Sequence, residues 1–142
     1  MDSIRIFGYK SFKELSVQLH PINLLIGANG AGKSNFLSLF EMLGNIYEKR
    51  LGAYVAQVGG VDKLLYQGRK VTDRIAVNLL IAKSEYDLAL LESDGKLIVE
   101  REVVGCYDDV CPLDLVRKNI ITEYQSESSL KDHKEEDLSN YI

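Results

Sequence analysis

A chain of 142 residues with 46% hydrophobic and 27% charged residues has the size and composition of one ordinary globular domain, which excludes a disordered chain, a collagen-like repeat and a disulfide scaffold. Seventeen Lys and Arg against 21 Asp and Glu leave a net charge of −4, so the basic surplus of a free-standing nucleic-acid binder is missing. No apolar run approaches the ~18 residues of a membrane span, and the chain opens without the basic and apolar regions of a secretory leader, so a cytoplasmic location with no membrane partner is expected.

Ser3 to Phe7 alternates, with Ile4 and Ile6 on one side and Arg5 and Phe7 on the other, the pattern of a half-buried strand. Ser16 to Leu19 repeats it through Val17 and Leu19. After the break at His20-Pro21, Ile22-Asn23-Leu24-Leu25-Ile26 reads as a short apolar strand of the kind that lies inside a sheet covered on both faces. A glycine-rich stretch from Gly27 to Gly32 follows, and the period then changes. Phe36, Leu39, Phe40, Leu43, Ile46 and Tyr47 fall three or four apart and predict a helix of about four turns, ended by Gly52. Val58-Gly59-Gly60-Val61 predicts a turn, with Asp62 capping a short helix that carries Leu64 and Leu65.

Ile75 to Ile81 and Tyr86 to Leu91 predict strands, and Asp94-Gly95 supplies the positive φ angles of a tight hairpin before Leu97-Ile98-Val99. An antiparallel meander of three strands is expected. Leu113 to Ile121 fits a helix or a strand. From Gln125 to Asn140 the sequence is crowded with Ser, Lys, Asp and Glu, and only Leu130 and Leu138 are aliphatic, so little apolar surface offsets the entropy of ordering it. The predicted organisation is a lobe over residues 1–122 and a polar helix or disordered tail over 123–142. Cys106 and Cys111 stand apart from any zinc-spaced set and are expected to be reduced thiols.

Gly27-Ala28-Asn29-Gly30-Ala31-Gly32-Lys33-Ser34 matches G-x-x-x-x-G-K-[ST] at every fixed position. A triphosphate needs many donors close together, and glycine lets backbone N–H groups curl around it with no Cβ in the way. Lys33 would extend along the phosphates, the Ser34 hydroxyl would take one position on Mg²⁺, and the helix opening at Lys33 points its positive end at the same anion. ATP and Mg²⁺ are the ligands this pattern predicts.

The flanking residues carry a likeness. Ile4-Arg5-Ile6-Phe7-Gly8-Tyr9-Lys10-Ser11-Phe12, together with Ile22 to Gly27 and the loop running on through Asn35-Phe36-Leu37, resembles the amino-terminal end of the RecF and SMC-like ATPases, which are ABC-type ATPases of DNA repair, chromosome maintenance and phage defence. Within that group the resemblance is to the bacterial AAA-type and overcoming-lysogenisation-defect (OLD) ATPases. Val58 to Gly68 followed by a β meander is also similar to them, so the resemblance covers residues 3 to 105. It implies an α/β P-loop NTPase fold, with central strands and a P-loop helix beside the meander. It implies a phosphate site of Asn29, Gly30, Ala31, Gly32, Lys33, Ser34 and Asn35, approached by Lys10 and Ser11 from the opposite side, where a cation offsets the surplus charge of Mg-ATP. It places Gln125 beside Ser34 at the metal; Gln57 and Gln67 match that position less well.

Hydrolysis in that family needs an apolar run ending in Asp-Glu, the Asp supporting Mg²⁺ and the Glu polarising water. Leu88-Ala89-Leu90-Leu91-Glu92 has the run, but Ser93 stands in the second acid's place and the Asp94-Gly95 turn assigns the run to a hairpin. No Leu-Ser-Gly-Gly signature occurs, and neither His20 nor His133 fits a switch position. The expectation is therefore the front part of an ATPase head that binds ATP and Mg²⁺, has no catalytic residue of its own, and associates with itself or with the complementary half. DNA as a partner follows from the resemblance alone. The alternatives are a structural or regulatory element that uses no nucleotide and, with less support, a small P-loop kinase, whose arginine-rich lid is not matched by the scattered Arg69, Arg74, Arg101 and Arg117.

Overall fold

Residues 2–82, 84–106 and 124–132 are described by a computed structural model. In chain order they form β1 (Ser3–Tyr9), β2 (Phe12–Gln18), α1 (Lys33–Tyr47), α2 (Leu51–Gln57), a single 3-10 turn (Val61–Lys63), β3 (Arg74–Ile81), β4 (Ser84–Ser93) and β5 (Lys96–Cys106). The five strands make one sheet in the order β2-β1-β3-β4-β5, and every neighbouring pair is antiparallel.

Period-two patterning gives this sheet its two faces. Ile4 and Ile6 of β1, Ile75 and Val77 of β3, Leu88 and Leu90 of β4, and Leu97 and Val99 of β5 are buried. They form one core with Phe36, Leu39, Met42 and Ile46 of α1 and Leu51, Tyr54 and Val55 of α2. The expected meander of β3, β4 and β5 is present, and both Asp94 (φ +50) and Gly95 (φ +77) take the left-handed conformation at its second turn. The run Leu88 to Glu92 lies within β4, and Glu92 accepts a hydrogen bond from the Gly95 amide at 2.8 Å.

A β-bulge interrupts the β4–β5 ladder. Ala89 pairs with Arg101 while Leu90 pairs with Val99, leaving Glu100 as the extra residue. The bulge changes the phase of β5, so Glu102 rather than Arg101 turns into the core and is fully buried. Its carboxylate accepts hydrogen bonds from Tyr86 Oη at 2.8 Å and from Ser128 Oγ at 2.8 Å. Burial, with the carboxylate of Glu102 alongside, raises the Tyr86 phenol well above its ordinary value.

Three expectations are corrected. Residues 22–26 form no strand, and Ile22 and Ile26 are 90% and 83% exposed. A run apolar on both sides needs a sheet neighbour for its amides and cover on both faces, and the antiparallel sheet among the described residues offers neither. Gly52 does not end the long helix. That helix stops at Tyr47, Lys49 turns the chain at φ +56, and Gly52 sits inside a second helix that the sequence reading did not anticipate. Asp62 does not cap a helix either. It lies within the 3-10 turn, whose N-cap is Gly60, and its carboxylate accepts from the Arg69 amide at 2.9 Å.

Part of the polar stretch packs. Gln125 exchanges backbone hydrogen bonds with Val99 at 2.7 and 3.2 Å. Glu127 accepts from the Leu51 and Gly52 amides that open α2, and Lys131 and Asp132 pair with Glu48 and Lys49 just beyond α1. The expectations for Leu113 to Ile121, for Cys111 and the Cys106 side chain, and for His133 and Leu138 lie outside the described residues.

Candidate functional site

The loop from Gly27 to Gly32 leads into α1, with Gly30 at φ +85 and Gly32 at φ +92. Gly32 is the N-cap of α1. No side chain caps it, and no acidic residue stands in the first turn. The amides of Lys33, Ser34 and Asn35 lack intrahelical carbonyls by helix geometry, so three aligned donors and the positive end of the helix dipole meet a loop whose residues 28–31 are exposed. Lys33 reaches back across the loop and donates to the Gly27 and Ala28 carbonyls at 2.6 and 2.8 Å. A donor set of main-chain amides and one ammonium, with no carboxylate among them, fits a polyphosphate.

The β1–β2 turn abuts the end of this loop. Asn35 Nδ2 donates to Ser11 Oγ at 2.9 Å. A Cβ on Gly32 would stand 3.1 Å from both the Phe12 ring and Ser11 Oγ, so a side chain there would press on this contact as well as strain the left-handed φ. Lys10 occupies the turn at φ +46. Its amide donates to the Leu64 carbonyl at 2.7 Å, and its ammonium donates to Ser38 Oγ on α1 at 2.7 Å. Burial lowers the pKa of Lys10, an effect partly offset by the Glu41 carboxylate.

Lys10, Ser11 and Asn35 also line a cleft of about 820 Å³ whose far wall is the segment around Asp62, Lys63, Arg69 and Lys70. Four cations face one carboxylate there, and that carboxylate is engaged by the Arg69 guanidinium at 3.4 Å. The cleft is therefore electropositive and continuous with the turn beside the loop, a setting for an anionic ligand.

Of the residues singled out from sequence, Gly32 and Asn35 both approach Ser11, Lys10 precedes Ser11 in the same turn, and Lys33 and Ser34 open the helix beside them. Asn29, Gly30 and Ala31 are exposed on the loop. Gln125 is not among this group. It sits at the β5 edge of the sheet, whereas the Lys10–Ser11 turn joins β1 and β2 at the other edge. Apart from Lys10, the cations of the cleft (Lys63, Arg69 and Lys70) and Ser38 were not anticipated as site residues, because nothing in their spacing distinguishes them from solvated residues on a helix or turn. No group of three or more His, Cys, Asp or Glu placed to hold a metal occurs among the described residues. No helix among them is long and apolar enough to cross a membrane.

A family model described as an AAA ATPase domain matches residues 1–142, the whole chain. No curated protein and no solved structure matches it significantly. With a complete phosphate loop opening an uncapped helix and a family match along its full length, the chain belongs to the AAA ATPase domain family, as a nucleotide-binding ATPase module.

Proposed function

We propose that this chain is the ATP- and Mg²⁺-binding part of a RecF- and SMC-like ATPase of the OLD-related kind, with residues 1–122 as its lobe. In this reading the amides and side chains of Asn29 to Asn35 hold the phosphates, Lys33 lies along them, and the Ser34 hydroxyl takes a position on Mg²⁺. Lys10 and Ser11 face the same anion from the β1–β2 turn. The observation that supports the reading is the contact of that turn with the loop through Asn35 and Gly32, because the same turn carries Lys10. The chemistry supplied by bound Mg-ATP is a transferable phosphoryl group. What this chain's residues do is bind it, orient it and balance its charge.

The sequence holds no Asp-Glu pair after an apolar run, so efficient hydrolysis would require acids from elsewhere, through self-association or a complementary half. The exposed side chains of Ile22, Leu24, Leu25 and Ile26 favour such an association. Unfolding measured with and without Mg-ATP tests the reading. Ligand at 100 times its dissociation constant stabilises the fold by about 2.7 kcal/mol, and Lys33→Ala is expected to abolish that gain. Turnover by the isolated chain near the enzyme median of about 10 s⁻¹, lost in Lys33→Ala, would contradict the proposed need for outside acids.

A further inference from the structure

One hydroxyl on α1 sits at the meeting point of three groups. Ser38 Oγ donates to the Asn35 carbonyl at 2.9 Å and accepts from Lys10 Nζ at 2.7 Å. Its remaining lone pair faces Tyr9 Oη at 2.9 Å. One proton and two lone pairs are all a serine hydroxyl has, so Ser38 is fully used. The Tyr54 hydroxyl donates to the Ser38 main-chain carbonyl at 3.3 Å, tying α2 to the same residue.

We infer that Ser38 is a positioning residue for the phosphate site: its hydroxyl holds the Lys10 ammonium against α1, one turn beyond Asn35, so that Lys10 meets the nucleotide already ordered. The inference rests on the nucleotide reading above.

The stoichiometry of donors supports it. An ammonium has three protons, and among the described residues Ser38 Oγ is the hydrogen-bond acceptor found for Lys10 Nζ. Two protons are left for phosphate oxygens, so the Ser38 contact does not compete with the ligand. The Lys10 backbone is fixed as well, by its left-handed φ and its bond to Leu64. The ammonium lies 5.4 Å from the centroid of the Tyr9 ring, within cation–π range. A lysine held at both ends has given up its rotamer freedom before the ligand arrives, and immobilising such a side chain on binding otherwise weakens affinity by roughly two- to tenfold.

Calorimetric titration of the full chain with Mg-ATP, alone and as variants, tests this. Ser38→Ala places the best helix former at a mid-helix position and is expected to keep the fold while weakening binding by roughly two- to tenfold. Ser38→Thr restores a hydroxyl that can still donate to the carbonyl three residues earlier and is expected to restore affinity. In a Lys10→Met background, Ser38→Ala is expected to have no further effect. Unchanged affinity in Ser38→Ala, or an equal loss in the Lys10→Met background, overturns the inference, the second result meaning that the hydroxyl acts through helix structure alone. Absence of Mg-ATP binding by the unsubstituted chain overturns the nucleotide reading and this inference with it, a result distinguishable from binding that is indifferent to Ser38.

Discussion

The Asn35 side-chain amide and the Ser11 hydroxyl are joined at 2.9 Å, which fastens the first turn of α1 to the turn between β1 and β2. The two residues are 24 apart in sequence. Through this seam the phosphate loop is braced by a sheet in which the segment preceding it takes no part.

Asn35→Ala is expected to release the seam. The lost hydrogen bond is exposed, so stability should fall by no more than about 0.5–1.5 kcal/mol. Affinity for Mg-ATP should fall as well, because Ser11 and Lys10 lose their register against the loop. Combining it with Ser11→Ala should add little, and a double-mutant cycle read by calorimetry gives the coupling between the two.

Gly32→Ala meets two obstacles at once, a φ of +92 and a Cβ position 3.1 Å from Phe12 and Ser11. Gly30→Ala meets only the first, since nothing stands within 4 Å of its Cβ position. A left-handed non-glycine residue costs about 1–2 kcal/mol. The urea midpoint of the Gly32 variant should therefore fall clearly below that of the Gly30 variant, and comparable midpoints would argue against the packed seam.

The paired change Ile22→Ser and Ile26→Ser removes apolar surface that is already in solvent. Folding stability should move by no more than about 0.5 kcal/mol, while self-association and binding of an apolar dye should drop. Light scattering across a concentration series, alongside urea unfolding, separates these effects from a loss of core.

Burial raises the phenol pKa of Tyr9, Tyr54 and Tyr86. Above about pH 10 tyrosines in the unfolded chain ionise, whereas these three keep their protons in the native state. The unfolded state then binds fewer protons than the native one, and stability falls as pH rises; below that range their contribution is constant. Lys10, with its pKa lowered, acts in the opposite sense over a similar range but is one group against three. Urea midpoints should decline above about pH 10, and phenolate absorbance should show part of the tyrosine complement ionising only on unfolding.

The glycine-lysine loop, α1 and the hairpin at Asp94-Gly95 were legible because local chemistry dictates them: spacing for the loop, a three-to-four period for the helix, positive φ for the turn. The run from Ile22 to Ile26 misled for the opposite reason. Its residues have the composition of a buried strand, but a strand exists only where another offers its amides, and composition does not say whether one does. Gly52 was read as a stop, yet a glycine inside α2 is held there by contacts that local sequence does not carry, with Tyr54 in the core and Glu127 accepting from the opening amides. The grouping of Lys10, Ser38 and Tyr9 depends on how β1 crosses α1. The residues involved are 28 or 29 apart, and no spacing rule connects them.

The bulge at Glu100 also bears on how the chain tolerates changes in length. Because Glu100 and Arg101 both point outward, a chain lacking Glu100 would regain a regular ladder with every later side chain of β5 still on its present side. The loss would be confined to the surface ion pair with Arg74, worth about 0–1 kcal/mol. Removal of Arg101 instead would restore the same alternation, whereas loss of the inward-facing Val99 would bring two outward residues next to Leu97 and break the inner row that Glu102 belongs to. Codon-sized losses should therefore be survivable at the two outward residues of the bulge and damaging at the inward residues that flank them.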